Sequence, residues 1–192
     1  MTHPIFHPVI HLPKEYPVFD FTRGDRPIEV EKFAFGVGRY QEKRPNVYRS
    51  EIYDGIRDIH MGIDLFAPLH TPIHAFAEGR IHLFGYNEAE LDYGYTVITE
   101  HRFEGFSLYA LHGHLSAKSV EGKVAGQIIK RGEVIAWVGD RHENGGWAPH
   151  LHFQLSYEKP LKPDMPGVVS EVDLPVALLK YPDPRLVLGP LY

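Results

Sequence analysis

The chain contains no cysteine. A disulfide framework and thiolate metal ligands are therefore excluded, and any bound metal must rest on histidine and carboxylate. The compartment stays open, because a reduced cytosol and an oxidising periplasm both tolerate a cysteine-free chain. Basic clusters are missing too. Twenty Lys and Arg stand against 25 Asp and Glu, for a net charge of -5 with neutral histidines, and no basic run offers the electrostatic footprint that nucleic acid or anionic lipid requires. Neither is expected as a partner, and no stretch reads as a transmembrane span. A secretory leader needs a basic start and then an unbroken apolar stretch, whereas the first residues are interrupted by Pro4, Pro8, Pro13, Lys14, Glu15 and Pro17. A chain of this kind that starts at Met reads as cytoplasmic, or as a recombinant form whose leader has been removed; the first is the expectation. Helical periodicity is scarce as well.

What is present is an ordinary globular mixture, 43% hydrophobic and 23% charged over 192 residues, enough for one domain with embellishments and a sizeable core. Residues 1–49 mix Pro, aromatics and charges, and read as an N-terminal extension packed on the core; Pro17 to Phe21 could pair as an edge strand. From Ile59 to Leu155, short β-branched and aromatic runs alternate with Gly, Asn and Asp: Gly62–Phe66, Gly79–Phe84, Tyr93–Thr99, Phe106–Leu111, Val134–Val138 and Leu151–Leu155. That spacing predicts a mainly β fold of antiparallel sheets, a sandwich or barrel, with few short helices. One helix is expected over Leu174 to Leu179, opened by Asp173 and stopped before Pro182. The tail, 159–192, carries seven prolines and is expected to wrap over the surface. The strand-rich domain is expected to span 50–158.

Thirteen histidines make chance patterns cheap: about one His-x-His and somewhat under one His-x-x-x-Asp arise from composition alone. Context raises three segments above that level. In Ile59-His60-Met61-Gly62-Ile63-Asp64-Leu65, positions i and i+4 lie about 13 Å apart on a straight strand. Gly62 permits the bend or bulge that would bring both side chains to one point. In Pro149-His150-Leu151-His152-Phe153 the two imidazoles share one strand face while Leu151 and Phe153 face the core. Leu111-His112-Gly113-His114-Leu115-Ser116 repeats the i, i+2 pair. His70, His74, His82, His101 and His142 lack such pairing and read as ordinary surface or half-buried residues. His3, His7 and His11 would converge only on a helix, which Pro4 and Pro8 disfavour.

In their order, His-x-Gly-x-Asp, Gly-His-Leu-Ser and Pro-His-Leu-His-Phe, these segments resemble the lysostaphin-type zinc metallopeptidases, a family of glycyl-glycine endopeptidases and peptidoglycan cross-link hydrolases. The resemblance covers about residues 55–157 and extends to Ala67-Pro68, Thr71-Pro72-Ile73-His74-Ala75, Gly79-Arg80-Ile81 and Lys130 to Gly139. It implies one zinc ion held by His60, Asp64 and His152, with His114 and His150 as the catalytic pair, on an antiparallel β domain with an open groove. Two imidazoles and one carboxylate leave a fourth tetrahedral position for water, as in a catalytic rather than a closed site. The implied activity is zinc-dependent endopeptidase cleavage of a peptide substrate. His114 is the expected general base and His150 the orienting partner, with the roles exchangeable at this stage. The sequence departs from the family at Trp147-Ala148-Pro149, in place of Thr-Gly-Pro, and at Gln154, where Glu is common. Both changes are expected to touch the substrate groove more than the metal.

Three other readings stay open: a catalytically silent, peptidase-like binding or regulatory module, a cupin-like iron oxygenase, and a phosphocarrier. The oxygenase expects the His-x-His before the lone His, the reverse of the order here. The phosphocarrier has no use for Asp64 beside two histidines.

Overall fold

The computed structural model describes residues 6–24 and 30–192, so His3 and its part in the His3, His7, His11 spacing lie outside the described residues. The elements are β1 (Gly36–Gly38), β2 (Ile59–His60), β3 (Ile63–Phe66), β4 (Pro72–His74), β5 (Gly79–Asn87), β6 (Gly94–Phe103), β7 (Phe106–Leu115), β8 (Ile128–Ile129), β9 (Val134–Trp137), β10 (His150–Ser156) and β11 (Val168–Val169), followed by the helices α1 (Leu174–Lys180) and α2 (Arg185–Leu188). The main sheet has the order β1-β3-β10-β7-β6-β5-β8, and every neighbouring pair in it is antiparallel. Its two edge strands, β1 and β8, do not meet, so the sheet stays open and is not a closed barrel. Two short ladders, β4 with β9 and β2 with β11, complete the β structure among the described residues. No helix there is long and apolar enough to cross a membrane.

Alternation along the strands sorts side chains onto two buried faces. On one, Leu108 and Ala110 of β7 meet Leu151, Phe153 and Leu155 of β10 together with Ile73 and Ala136 of the β4–β9 ladder. On the other, Tyr109 and Leu111 pack with Tyr93, Ile98 and Met165. Phe153, Leu151 and Leu155 are wholly buried, each contributing roughly 1.5–3 kcal/mol by leaving water.

Residues 17–19 run beside β1, with Phe19 N–H donating to Val37 O and Val37 N–H to Pro17 O. The proline-rich tail is stitched in more deeply than a surface wrap: β11 pairs with β2, and Thr96 Oγ1 donates to Pro163 O at 2.6 Å. Helix α1 lies over Ile59, Met61 and Val169. Asp173 precedes it as expected, but its carboxylate accepts from Ser170 Oγ instead of capping the first turn.

Two further histidines are core residues: His101, expected to be surface or half-buried, and His112 of the His-Gly-His run. His101 lies under Phe76, donates Nδ1–H to Glu78 O and accepts from Thr99 Oγ1. His112 donates Nδ1–H to Val97 O, while its buried Nε2 has no partner. Burial pushes His101 down to about 4 and His112 down to about 3. The unfolded chain binds protons from about pH 6.5 downward, which the folded protein refuses until those lower values are reached. Stability is therefore full above pH 6.5 and lost below it, at up to about 1.4 kcal/mol per pH unit for each group. Urea unfolding between pH 6 and 4.5 should show His112→Leu reducing the slope by about that amount; an unchanged slope would mean that His112 titrates normally in the fold.

Candidate metal centre

Strand register assembles most of the centre. Asp64 of β3 stands directly opposite His152 of β10, and His152 stands opposite Gly113 of β7, so three adjacent strands bring Asp64, His152 and the His114 region together. His60 arrives differently. The chain breaks between β2 and β3 at Met61-Gly62, and the imidazole of His60 folds back towards Asp64. The glycine is required for room rather than for an unusual φ. A Cβ on Gly62 would lie 2.5 Å from Cε1 and Nε2 of His152 and 2.9 Å from Phe153 O.

The three candidate ligand atoms form a nearly equilateral triangle. His60 Nε2 lies 3.0 Å from His152 Nδ1 and 3.1 Å from Asp64 Oδ1, and His152 Nδ1 lies 3.2 Å from Asp64 Oδ1. All three residues are buried.

Hydrogen bonds on the far sides fix the tautomers. His60 Nδ1–H donates to Arg39 O at 2.8 Å, which leaves a lone pair on Nε2. His152 Nε2–H donates to Gln154 Oε1 at 3.0 Å, which leaves a lone pair on Nδ1. The Gln154 amide is oriented in turn by its own donation to Pro166 O. Two lone pairs and a carboxylate oxygen thus converge on one point, an arrangement that repels itself unless a cation lies between them. The sides are close to the roughly 3.3 Å expected between ligands of a tetrahedral ion held at about 2.0 Å. The residues fit a metal of the kind that prefers imidazole and carboxylate.

Arg44 holds the carboxylate from behind. Its guanidinium donates to Asp64 Oδ2 at 2.7 Å and to Glu42 Oε2 at 2.9 Å, and all three groups are buried. Burial by itself would raise Asp64, but His60 and Arg44 beside it outweigh that and keep it ionised well below the usual carboxylate range. Burial, aided by Arg44, pushes His60 down to about 4 and so keeps it neutral and able to ligate at neutral pH.

His114 does not share a face with His112. The β6–β7 register slips by one residue between Tyr95 and Val97, and His114 has φ 63, the left-handed region. This bulge turns His112 into the core and His114 towards the metal triangle. Positive φ is costly for a non-glycine residue and recurs at functional sites. His114 donates Nδ1–H to Asn144 O, and His150 donates Nδ1–H to Ala148 O. Each therefore keeps an Nε2 lone pair, and that of His150 lies 3.7 Å from Asp64 Oδ1. The two rings are 4.3 Å apart, and His150 also stacks on Phe66. Burial, reinforced for His114 by His150 and His152, lowers both below an ordinary histidine.

A groove of about 560 Å³ passes the triangle, with Tyr48, Tyr53 and Trp147 among its walls. Trp147 and Ala148 therefore do face the groove. Gln154 does not conform to that expectation: it holds His152, so the Glu-to-Gln departure touches the candidate metal centre itself. Arg39, Arg44 and Tyr93 escaped the sequence reading because none belongs to a spaced motif. Tyr93 occupies the space above Gly113, where a Cβ would meet its ring at 2.6 Å, and donates its hydroxyl to Met165 O. The only available hint was the glycine within the His-Gly-His run.

The family model of peptidase family M23 matches residues 58–163. Among curated relatives, the DD-carboxypeptidase/endopeptidase Mpg of Neisseria meningitidis serogroup B is 41% identical over 97 residues, covering 50% of this chain and 20% of that protein. Mpg of Neisseria gonorrhoeae is 40% identical over the same length and shares of each chain. The chain thus spans about a fifth of the length of these relatives. Among solved structures, the catalytic domain of lysostaphin from Staphylococcus simulans superposes with a TM-score of 0.50 at 22% identity, covering 79% of this chain and 97% of that one. That likeness concerns the fold.

Proposed function

The chain belongs to peptidase family M23, and from that membership we propose that it is a zinc-dependent metalloendopeptidase in which His60, Asp64 and His152 hold the ion and His114 and His150 serve the bond being cut. The observation that carries this reading is the triangle of buried lone pairs fixed by Arg39 O and Gln154. Bound there, zinc supplies Lewis acidity, bringing the pKa of water from 15.7 towards about 7 and polarising a carbonyl.

The remaining work falls to this chain's own side chains. His114, neutral and anchored through Nδ1, presents Nε2 as the acceptor for the proton of the attacking water and can return that proton to the leaving amine. His150 is braced by Ala148 O and Phe66; it orients the water or the developing oxyanion beside Asp64. The groove's aromatic walls and buried depth suit an extended peptide with small side chains. The name of the Neisseria relatives supports a cell-wall-type peptide containing D-amino acids; a glycine-rich peptide is the other substrate class in this reading. In this reading residues 50–158 form the catalytic domain, with residues 6–24, 30–49 and 159–192 folded onto it.

The test is mass-spectrometric screening of oligoglycine, D-alanine-containing cross-linked muropeptides and ordinary L-peptides with chelator-stripped protein before and after zinc is restored. Cleavage of at least one class, returning with zinc, is expected. A zinc-loaded protein that cuts none of them would instead be the silent binding module.

A further inference from the structure

A second group of histidines lies away from the groove. His7 and His11 are brought together without the helix their spacing would need. Their segment is laid against β4 by two backbone bonds: His7 N–H donates to Phe76 O at 2.8 Å, and His74 N–H donates to Val9 O at 2.9 Å. Between the two histidines, Val9 and Ile10 are buried in the main core, which fixes the segment so that both imidazoles face His74.

The three rings lie close together, with centroids 5.4 Å apart for His7 and His11, 5.2 Å for His7 and His74, and 5.1 Å for His11 and His74. One ligating atom from each lies within 4.8 Å of the other two. His7 donates Nδ1–H to Pro8 O, so its Nε2 carries a lone pair. His74 has a buried Nδ1 without a hydrogen-bond partner. His11 is exposed, and the other two are half-buried, so the group is open to solvent.

We propose that His7, His11 and His74 form a second metal site, for a divalent transition ion of the zinc, copper or nickel class, which staples residues 6–12 to β4. Three imidazoles without a carboxylate select these ions over calcium or magnesium, which require oxygen ligands. The three atoms already lie within 4.8 Å of one another, and the exposed ring of His11 can turn to bring them towards the roughly 3.3 Å of a tetrahedral shell. Three protein ligands leave a further position to water.

The experiment titrates chelator-stripped full-length protein with Zn2+ against a chromophoric competitor, while hydrogen exchange of the His7 and His74 amides is followed. Wild type should bind two equivalents, and His11→Ala and His60→Ala one each, by losing different sites. An ion that binds only the docked segment should slow local opening about 100-fold when free zinc is a hundred times its Kd. That slowing should vanish in His11→Ala and persist in His60→Ala. A single wild-type equivalent that His11→Ala retains, two equivalents in His11→Ala, or exchange that zinc leaves unchanged would overturn the proposal; a single equivalent lost in His11→Ala and kept in His60→Ala would support it and count against the catalytic centre instead. Because His11 is an exposed side chain, its loss tests the site without threatening the fold.

Discussion

Replacing His60 or Asp64 by alanine should empty the catalytic centre of metal and reduce peptide turnover to background. With two ligands left, the triangle no longer closes around a four-coordinate ion. The two variants should nevertheless differ in stability. Asp64 also neutralises Arg44, which is buried beside it at 2.7 Å, so Asp64→Ala leaves that guanidinium with Glu42 as its carboxylate partner, beside the neutral acceptors Tyr48 Oη and Arg39 O. Because Glu42 still pairs with the guanidinium, the loss should stay below the roughly 3–5 kcal/mol of a buried charge left wholly uncompensated. His60→Ala removes a neutral ring and leaves both ion pairs of Arg44 intact. Metal content per chain, measured in a His11→Ala background so that the surface histidines contribute nothing, and chemical unfolding should separate the two effects. A stoichiometric, tightly held ion in either variant would sink the ligand assignment; equal stability of the two would sink the role given to Arg44.

His114→Asn should retain the ion and lose turnover by about 10²- to 10⁴-fold, the usual share of general acid–base assistance. Asparagine is the informative replacement because it tolerates the left-handed backbone found at φ 63 and has no basic nitrogen. Alanine lacks the preference of histidine and asparagine for that backbone region, so its loss of rate would mix a backbone effect with the loss of proton transfer. Full metal content with lost kcat is the expected signature. Loss of the ion would make His114 a ligand, and unchanged kcat would pass the proton-transfer role to His150.

The strands were legible because their alternation is strong: Leu151, Phe153 and Leu155 turn inward on β10 while His150, His152 and Gln154 turn to the other face. The meeting of His60, Asp64 and His152 was legible through motif order, and the break at Gly62 through the glycine itself. The bulge at His114 was not. A period-two reading puts His112 and His114 on one face, and no local composition reports the one-residue slip that separates them. Arg44 was invisible for a different reason: a lone arginine in an irregular segment carries no periodicity, and its partner lies 20 residues away in sequence. His7, His11 and His74 were missed because convergence was sought within a helix, whereas they meet through pairing of an extended segment with β4.

Arg39 and Arg44 belong to a stretch that ends before residue 58, where the match to the family begins. The stretch nevertheless supplies the carbonyl that sets His60 and the cation that holds Asp64. Excising the chain at the family's limits would carry away the named ligands and leave behind what aims them. The candidate metal centre is therefore not portable as a module: grafting it onto another scaffold requires residues 39–44 to travel with the His-x-Gly-x-Asp strand. A chimera built by motif alone would inherit the right letters in the wrong orientation.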